Sequence, residues 1–308
     1  MHYIGIDENG LGPILGPMIV TGVSIPLSDE SLSCFKKPSK NFSGFLDSKR
    51  IFRGSNRKKA EALALSIINV LTGHIPLTMG EMLDAFMLKM FRPSSCKKNG
   101  IFEMCVHNDL QLPLWSSSQD IEETSRYILE QNTDLCRSGL IRFVVYCPYF
   151  LNNSSRAGRN KFDLDCDGML SLVEFFRINL KGFLNIIAGK VGSRVHYENK
   201  LNSTNFALSD KNCSSEESRY YFYKDEISLN FIENADDKFT CVSIASIVGK
   251  YVREIFMEVL WKYALKKGVI FHRRPSGYRD RVSKEFINSF LPILKKEKID
   301  TVCFLRER

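Results

Sequence analysis

Apolar and polar positions alternate along this chain with two periods, one for strands and one for helices. Residues 3–6 form a short apolar run that stops at Asp7-Glu8. A Gly/Pro-rich turn, 9–17, separates it from a β-branched run at 18–25, so the N-terminus reads as two neighbouring strands. Residues 28–43 are polar and loop-like. Ser55 is placed to cap a helix over 56–71, where Leu63, Leu65, Ile67, Ile68 and Leu71 fall on one face. Residues 75–140 predict an insertion or lid, with a helical piece near 81–90 and a polar stretch at 93–100. Beyond them the pattern predicts a strand at 140–147, a helix at 163–181, a strand at 183–188 and a hairpin over 220–234 about Lys224-Asp225-Glu226. The strongest helical period runs over 242–267, with Val248, Val252, Ile255, Val259 and Tyr263 recurring. A last helix, 283–296, is interrupted by Pro292. Early strands, then mixed strands and helices, then a helical tail indicate an α/β or α+β fold, of which α/β is the class expected.

Composition narrows the class. The chain has 308 residues, 44% hydrophobic and 25% charged, which excludes collagen, coiled coil and wholesale disorder. No uncharged apolar stretch reaches the ~18 to 20 residues of a bilayer span, so no membrane partner is expected. The first residues carry Asp7 and Glu8 where a secretory signal is basic and then apolar. The nine cysteines are an odd number with no Cys-x-x-Cys pair, which points to reduced thiols in a cytoplasmic protein. The net charge of +8 is localised: residues 241–308 hold 15 Lys/Arg against 7 Asp/Glu, and the other 240 residues are neutral. Runs such as Lys266-Lys267, Arg273-Arg274, Arg279-Asp280-Arg281 and Lys295-Lys296 fit a phosphate backbone, or a solvated helical face.

The acidic residues carry the candidate chemistry. Asp7 and Glu8 follow a strand, and Asp236 and Asp237 precede the longest helix. Carboxylates at strand ends can hold hard divalent cations. If these segments meet, the cluster suits two-metal phosphodiester chemistry; taken singly, each is equally a surface acid or a helix-terminal charge.

Several motifs then become recognisable. Ile4-Gly5-Ile6-Asp7-Glu8-Asn9-Gly10-Leu11-Gly12-Pro13 resembles the Gly-x-Asp-Glu-Ala-Gly-Arg-Gly-Pro opening of ribonuclease HII. Leu46-Asp47-Ser48-Lys49 is similar to that family's Asp-Ser-Lys motif. Ala235-Asp236-Asp237 with Ser243-Ile244-Ala245-Ser246 and Lys250 resembles its later Ala-Asp and Ser-x-Ala-Ser block, and Ser276-Gly277-Tyr278 its late Gly-Tyr motif. The resemblance covers about residues 1–60 and 220–290, in the family's order.

It implies an RNase H-like mixed sheet flanked by helices, residues 1–250, with 75–140 as a family-atypical insertion, and a basic helical C-terminal domain, 251–308. It implies a metal-dependent endoribonuclease using Mg²⁺ or Mn²⁺ on RNA–DNA hybrids or on ribonucleotides embedded in duplex DNA. Asp7, Glu8 and Asp236 would be catalytic metal ligands. Gly10 and Gly12 would let the backbone approach the ribose 2′-OH. Ser48 and Lys49 would sit near a phosphate, and Tyr278 would stack on a sugar; a surface lysine and a half-buried loop tyrosine are the plain alternatives.

Three departures stand against the pattern. Gly189 occupies the position aligned with the third catalytic Asp, which leaves open a degenerate relative that binds hybrid but cleaves poorly; Glu198 or Asp237 are nearby substitutes. Leu11 replaces an Arg, and Arg279 a Pro. A rival motif runs from Asp163 to Glu174 and fits the calcium-loop pattern D-x-D-x-D-G-x5-E, although no entering helix precedes it. His196 and His272 read as solvated or packed histidines. Ser243 and Ser246 read as small residues allowing close helix packing, without a Ser-His-Asp context.

Overall fold

The computed structural model describes residues 1–26, 56–92, 102–131, 139–202 and 204–307. The loop reading at 28–43, the polar stretch at 93–100, Ser48, Lys49 and the Ser55 cap lie outside the described residues. The strands are β1 (His2–Asn9), β2 (Met18–Pro26), β3 (Met87–Phe91), β4 (Leu140–Tyr146), β5 (Leu184–Gly189), β6 (Asp210–Cys213), β7 (Glu217–Phe222) and β8 (Ile227–Ile232). The helices are α1 (Arg57–Thr72), α2 (Met79–Phe86), α3 (Phe102–Cys105), α4 (Ser118–Gln131), α5 (Pro148–Arg156), α6 (Lys161–Asn179), α7 (Glu198–Leu201), α8 (Ala235–Lys238), α9 (Thr240–Lys266) and α10 (Arg281–Lys296).

All eight strands form one mixed sheet in the order β3-β4-β2-β1-β5-β8-β7-β6. β1 lies at its centre, antiparallel to β2 and parallel to β5. Helices cover both faces, and further helices follow at the C-terminus, which is the architecture expected from the sequence.

The alternation along β1 assigns its side chains to faces. Tyr3 joins the core that α1 and α9 build, whereas Ile4 and Ile6 join the core under α6. Gly5 lets α9 come down onto the strand, since a Cβ there would lie 2.1 Å from the Cys241 carbonyl carbon. A third core binds the second half of α9 to α10 and the tail through Met257, Phe286, Phe290 and Phe304. Each fully buried Phe there contributes about 2 to 3 kcal/mol. Pro292 does not interrupt α10. The carbonyl it leaves unbonded is that of exposed Asn288, which water can satisfy.

The described residues between 75 and 140 are woven into the fold. The helix expected near 81–90 ends at Phe86, and the next five residues become β3, an edge strand parallel to β4. A short apolar run is compatible with either period, and an open sheet edge decided it. The segment is tied to the core by buried Glu61 on α1. Its carboxylate accepts backbone N–H bonds from Leu114 (2.6 Å), Trp115 (2.5 Å) and Ser116 (2.6 Å) and the hydroxyl of Tyr251 on α9 (2.9 Å).

Candidate functional site

The acidic residues meet at the C-terminal end of β1. Asp7 projects to the α9 side, as Gly5 does two residues earlier. There the Ser246 hydroxyl donates to its carboxylate, and the charges of Asp236 and Lys250 bear on it. Ser243, Ser246 and Lys250 are spaced i, i+3 and i+7, so α9 presents them on one face. Ser243 donates to the Asp236 carbonyl and so fastens the short α8 turn to α9. Both serines thus hold acidic residues in place, which corrects the reading of them as mere spacers. Asp236 is half-buried, and Asp237 points to solvent. Asn9 Nδ2 reaches Asp7 Oδ2 at 3.5 Å.

Glu8 falls on the other face of β1, toward α6, where its chief charged neighbour is Asp165. This residue was visible in the sequence only as part of the calcium-loop pattern. That pattern is overturned: all twelve positions from Asp163 to Glu174 lie within helix α6, where successive side chains turn by about 100° and cannot converge on one ion. Asp163 is held instead by Arg194 (2.8 Å) and Lys200 (3.7 Å), and Asp167 by Lys200 (2.9 Å) and Arg159. Asp165 points the other way. It is 1% exposed, and its Oδ1 has no hydrogen-bond partner.

Burial, reinforced by Asp236 and opposed by Ser246 and Lys250, pushes the Asp7 carboxyl up to about 6. Burial and then Asp165 and Asp7 push Glu8 well above the usual carboxylate range. Burial and Asp7 do the same to Asp165. Carboxyls held together in so little water ionise only with difficulty unless a cation joins them. The donor set is all oxygen, which fits a hard divalent ion, and the orphaned Oδ1 of Asp165 is a buried acceptor that such an ion would satisfy. The only group of three or more His, Cys, Asp or Glu ligand atoms mutually within 4.8 Å among the described residues is elsewhere, His196, Glu198 and Cys213.

Gly189 ends β5 next to Asp7, one step beyond the Ile6–Ala188 pair. A Cβ there would sit 3.4 Å from Asp7 Oδ1, an ordinary contact, so an acid at this position would face Asp7 directly. Glu198 does not fill the gap: it is bound to Lys211 (2.6 Å), and despite some burial that partner draws its carboxyl down to about 2.

Beside the acids, the turn after β1 is built from both ends of the chain. Gly10 has φ 95°, open to glycine at little cost. Arg306, from the tail, donates to the Gly10 carbonyl, to Gly16 O (2.7 Å) and to Pro13 O (3.3 Å). Arg253, from α9, donates to Leu15 O (3.1 Å) and Ser276 O (3.4 Å). Ile14 and Leu15 donate to the Gly277 carbonyl (2.7 and 3.1 Å). These bonds bring Tyr278, 53% exposed, against Gly12, where an added Cβ would lie 3.8 Å from its ring. A cleft of about 250 Å³ opens beside them, lined by Leu11, Gly12, Lys161 and Arg279 among others. Gly12 and Tyr278 therefore share an exposed surface on the turn that follows Asp7 and Glu8, while Gly10 is buried beneath it against Arg253 and Pro17, which corrects the expectation that its backbone is open to a ligand.

The basic C-terminal segment is only partly a surface. Arg274 turns inward to Glu254 and Glu258 (3.1 Å) with its side chain 5% exposed, and Arg253 and Arg306 are buried. Arg273, Arg279, Lys284, Lys295 and Lys296 remain exposed. No helix among the described residues is long and apolar enough to cross a membrane.

No family model and no curated protein matches this sequence. Solved structures similar to it along its full length are ribonucleases HII and HIII at low identity. One is the RNase HII of the PCNA:RNase HII complex from Archaeoglobus fulgidus, at 15% identity over 100% of this chain and 95% of that one, TM-score 0.47. Another is the ribonuclease H2 from Pyrococcus horikoshii OT3, at 14% identity over 99% and 92%, TM-score 0.48. A third is Bst-RNase HIII in complex with Mn²⁺, at 12% identity over 99% and 66%, TM-score 0.48.

Proposed function

We propose that this chain is a divergent, metal-dependent endonuclease of ribonuclease HII type, acting on the RNA strand of RNA–DNA hybrids or at ribonucleotides embedded in duplex DNA. The observation that carries the reading is that Asp236, from more than two hundred residues away, lies close enough to the end of β1 for its charge to bear on both Asp7 and Glu8, beside the turn that carries Gly10 and Gly12. Asp7, Glu8 and Asp236 would hold Mg²⁺ or Mn²⁺. A bound divalent cation supplies charge stabilisation at the phosphate and acidifies the attacking water.

The chain's own residues do the rest. Ser246 orients the Asp7 carboxylate, and Lys250 offsets part of the negative charge around it. The turn presents backbone rather than side chain at exposed Gly12, which allows the close approach needed to sense a 2′-OH. Tyr278 offers an exposed ring for a sugar, held from below by Arg253, whose guanidinium carbon lies 5.7 Å from the ring centre. Arg273, Arg279 and the exposed lysines of α10 follow the backbone phosphates. We assign residues 251–308 this binding role and 1–250 the catalytic one.

The test is cleavage of a duplex carrying a single ribonucleotide, with Mg²⁺ and with Mn²⁺, against an Asp7→Asn control. Cleavage lost in the control supports the reading. A second reading has Gly189 behind it: a hybrid-binding relative short of one carboxylate. Salt-sensitive binding of hybrid with no cleavage in either metal would favour it.

A further inference from the structure

We propose that Asp165 supplies the carboxylate that Gly189 lacks, entering the metal site from helix α6 on the Glu8 face of the sheet instead of from the end of β5. The inference rests on the metal-site reading above.

The geometry is set by packing. Gly168 lies on the sheet-facing side of α6, since a Cβ there would meet Val20 at 2.9 Å and Tyr146 at 3.2 Å. Val20 is the cross-strand partner of Glu8. Further along α6, Leu172 and Phe176 lie over Gly22, the partner of Ile6. The helix therefore runs away from the acidic end of β1 as its numbering rises. Asp165, one turn before Gly168 and on the same side, is thereby set toward Glu8.

No hydrogen bond or ion pair among the described residues occupies that carboxylate's Oδ1. The neighbouring Asp163 and Asp167 face Arg194, Lys200 and Arg159, and Asn160 already caps the helix by accepting the Asp163 N–H at 2.8 Å. Asp165 is 1% exposed, makes no ion pair among the described residues, and leaves Oδ1 unsatisfied. A buried acid without a partner costs stability, and such a cost persists where function needs the group. A divalent cation shared with Glu8 and Asp7 would satisfy it.

The experiment measures Mn²⁺ binding to the full chain by the loss of the free-ion electron paramagnetic resonance signal, together with thermal melting in chelator. Variants are Asp165→Asn, Asp165→Glu and Asp7→Asn. Expected is at least a tenfold loss of Mn²⁺ affinity in Asp165→Asn, partial recovery in Asp165→Glu, and metal-free melting unchanged or raised in Asp165→Asn. Wild-type affinity in Asp165→Asn, with affinity lost in Asp7→Asn, would overturn the role of Asp165 and leave the metal site standing. A lowered metal-free melting point with unchanged affinity would make Asp165 structural and also overturn it. No Mn²⁺ binding by the wild-type protein would overturn both.

Discussion

Tyr251 on α9 donates a 2.9 Å hydrogen bond to Glu61 on α1, 190 residues earlier in the chain. Through the same carboxylate, three successive backbone N–H groups at 114–116 are satisfied. Glu61→Ala should therefore cost about 3 kcal/mol or more, because several partly buried donors lose their acceptor at once. Tyr251→Phe should cost about 1 kcal/mol, since the acceptor keeps its other partners. Denaturant midpoints of the full chain measure both; equal costs for the two variants would contradict this.

Acidification should stabilise the metal-free protein. The folded-state value of Asp7 is about 6 against an ordinary 3.8, so the folded state holds a proton that the unfolded chain has released. The contribution of Asp7 is present in full below the ordinary value and is lost as pH rises to about 6, by at most ~3 kcal/mol. Melting in chelator across that window should show the decline, and Asp7→Asn should flatten it. Mn²⁺ competes with the same proton, so its stabilising effect should grow above pH ~6.

Arg306 holds three carbonyls of the turn after β1 while buried, and burial together with the Arg253 charge lowers its pKa to about 9, leaving it charged at neutral pH. Arg306→Lys keeps a charge and loses the planar fork that matches diverging acceptors. A loss of about 2 to 3 kcal/mol is expected, with faster proteolysis between residues 9 and 17. Retained stability would mean that the tail is not what shapes this turn.

Tyr278 separates binding from folding. It is 53% exposed, so Tyr278→Ala should change stability by less than ~0.5 kcal/mol. Loss of a stacking ring should weaken hybrid binding by about tenfold. Arg279→Gln should reduce the slope of log affinity against log salt by about one phosphate contact. Fluorescence anisotropy with labelled hybrid at several salt concentrations reads both.

The strands at 3–6 and 18–25 could be read from short, β-branched apolar runs bounded by a Gly/Pro-rich turn, the hairpin over 220–234 from its alternation, and the long helix from an apolar period sustained over many turns. Asp7, Glu8 and Asp236 were legible as candidates because motif order places them in sequence. Local pattern could not distinguish β3 from a continuing helix, nor the two serines of α9 from spacers, since the deciding neighbours are far away in the chain.

Residue types and spacing by themselves determined which acids were available and where the chain could turn. Tertiary structure decided which of them share an environment. Asp163, Asp165 and Asp167 are one residue type at equal spacing, yet the helix turns two toward cations and the third into the sheet beside Glu8. Burial, not identity, separates them, and burial is a property of packing between segments that sequence distance does not encode.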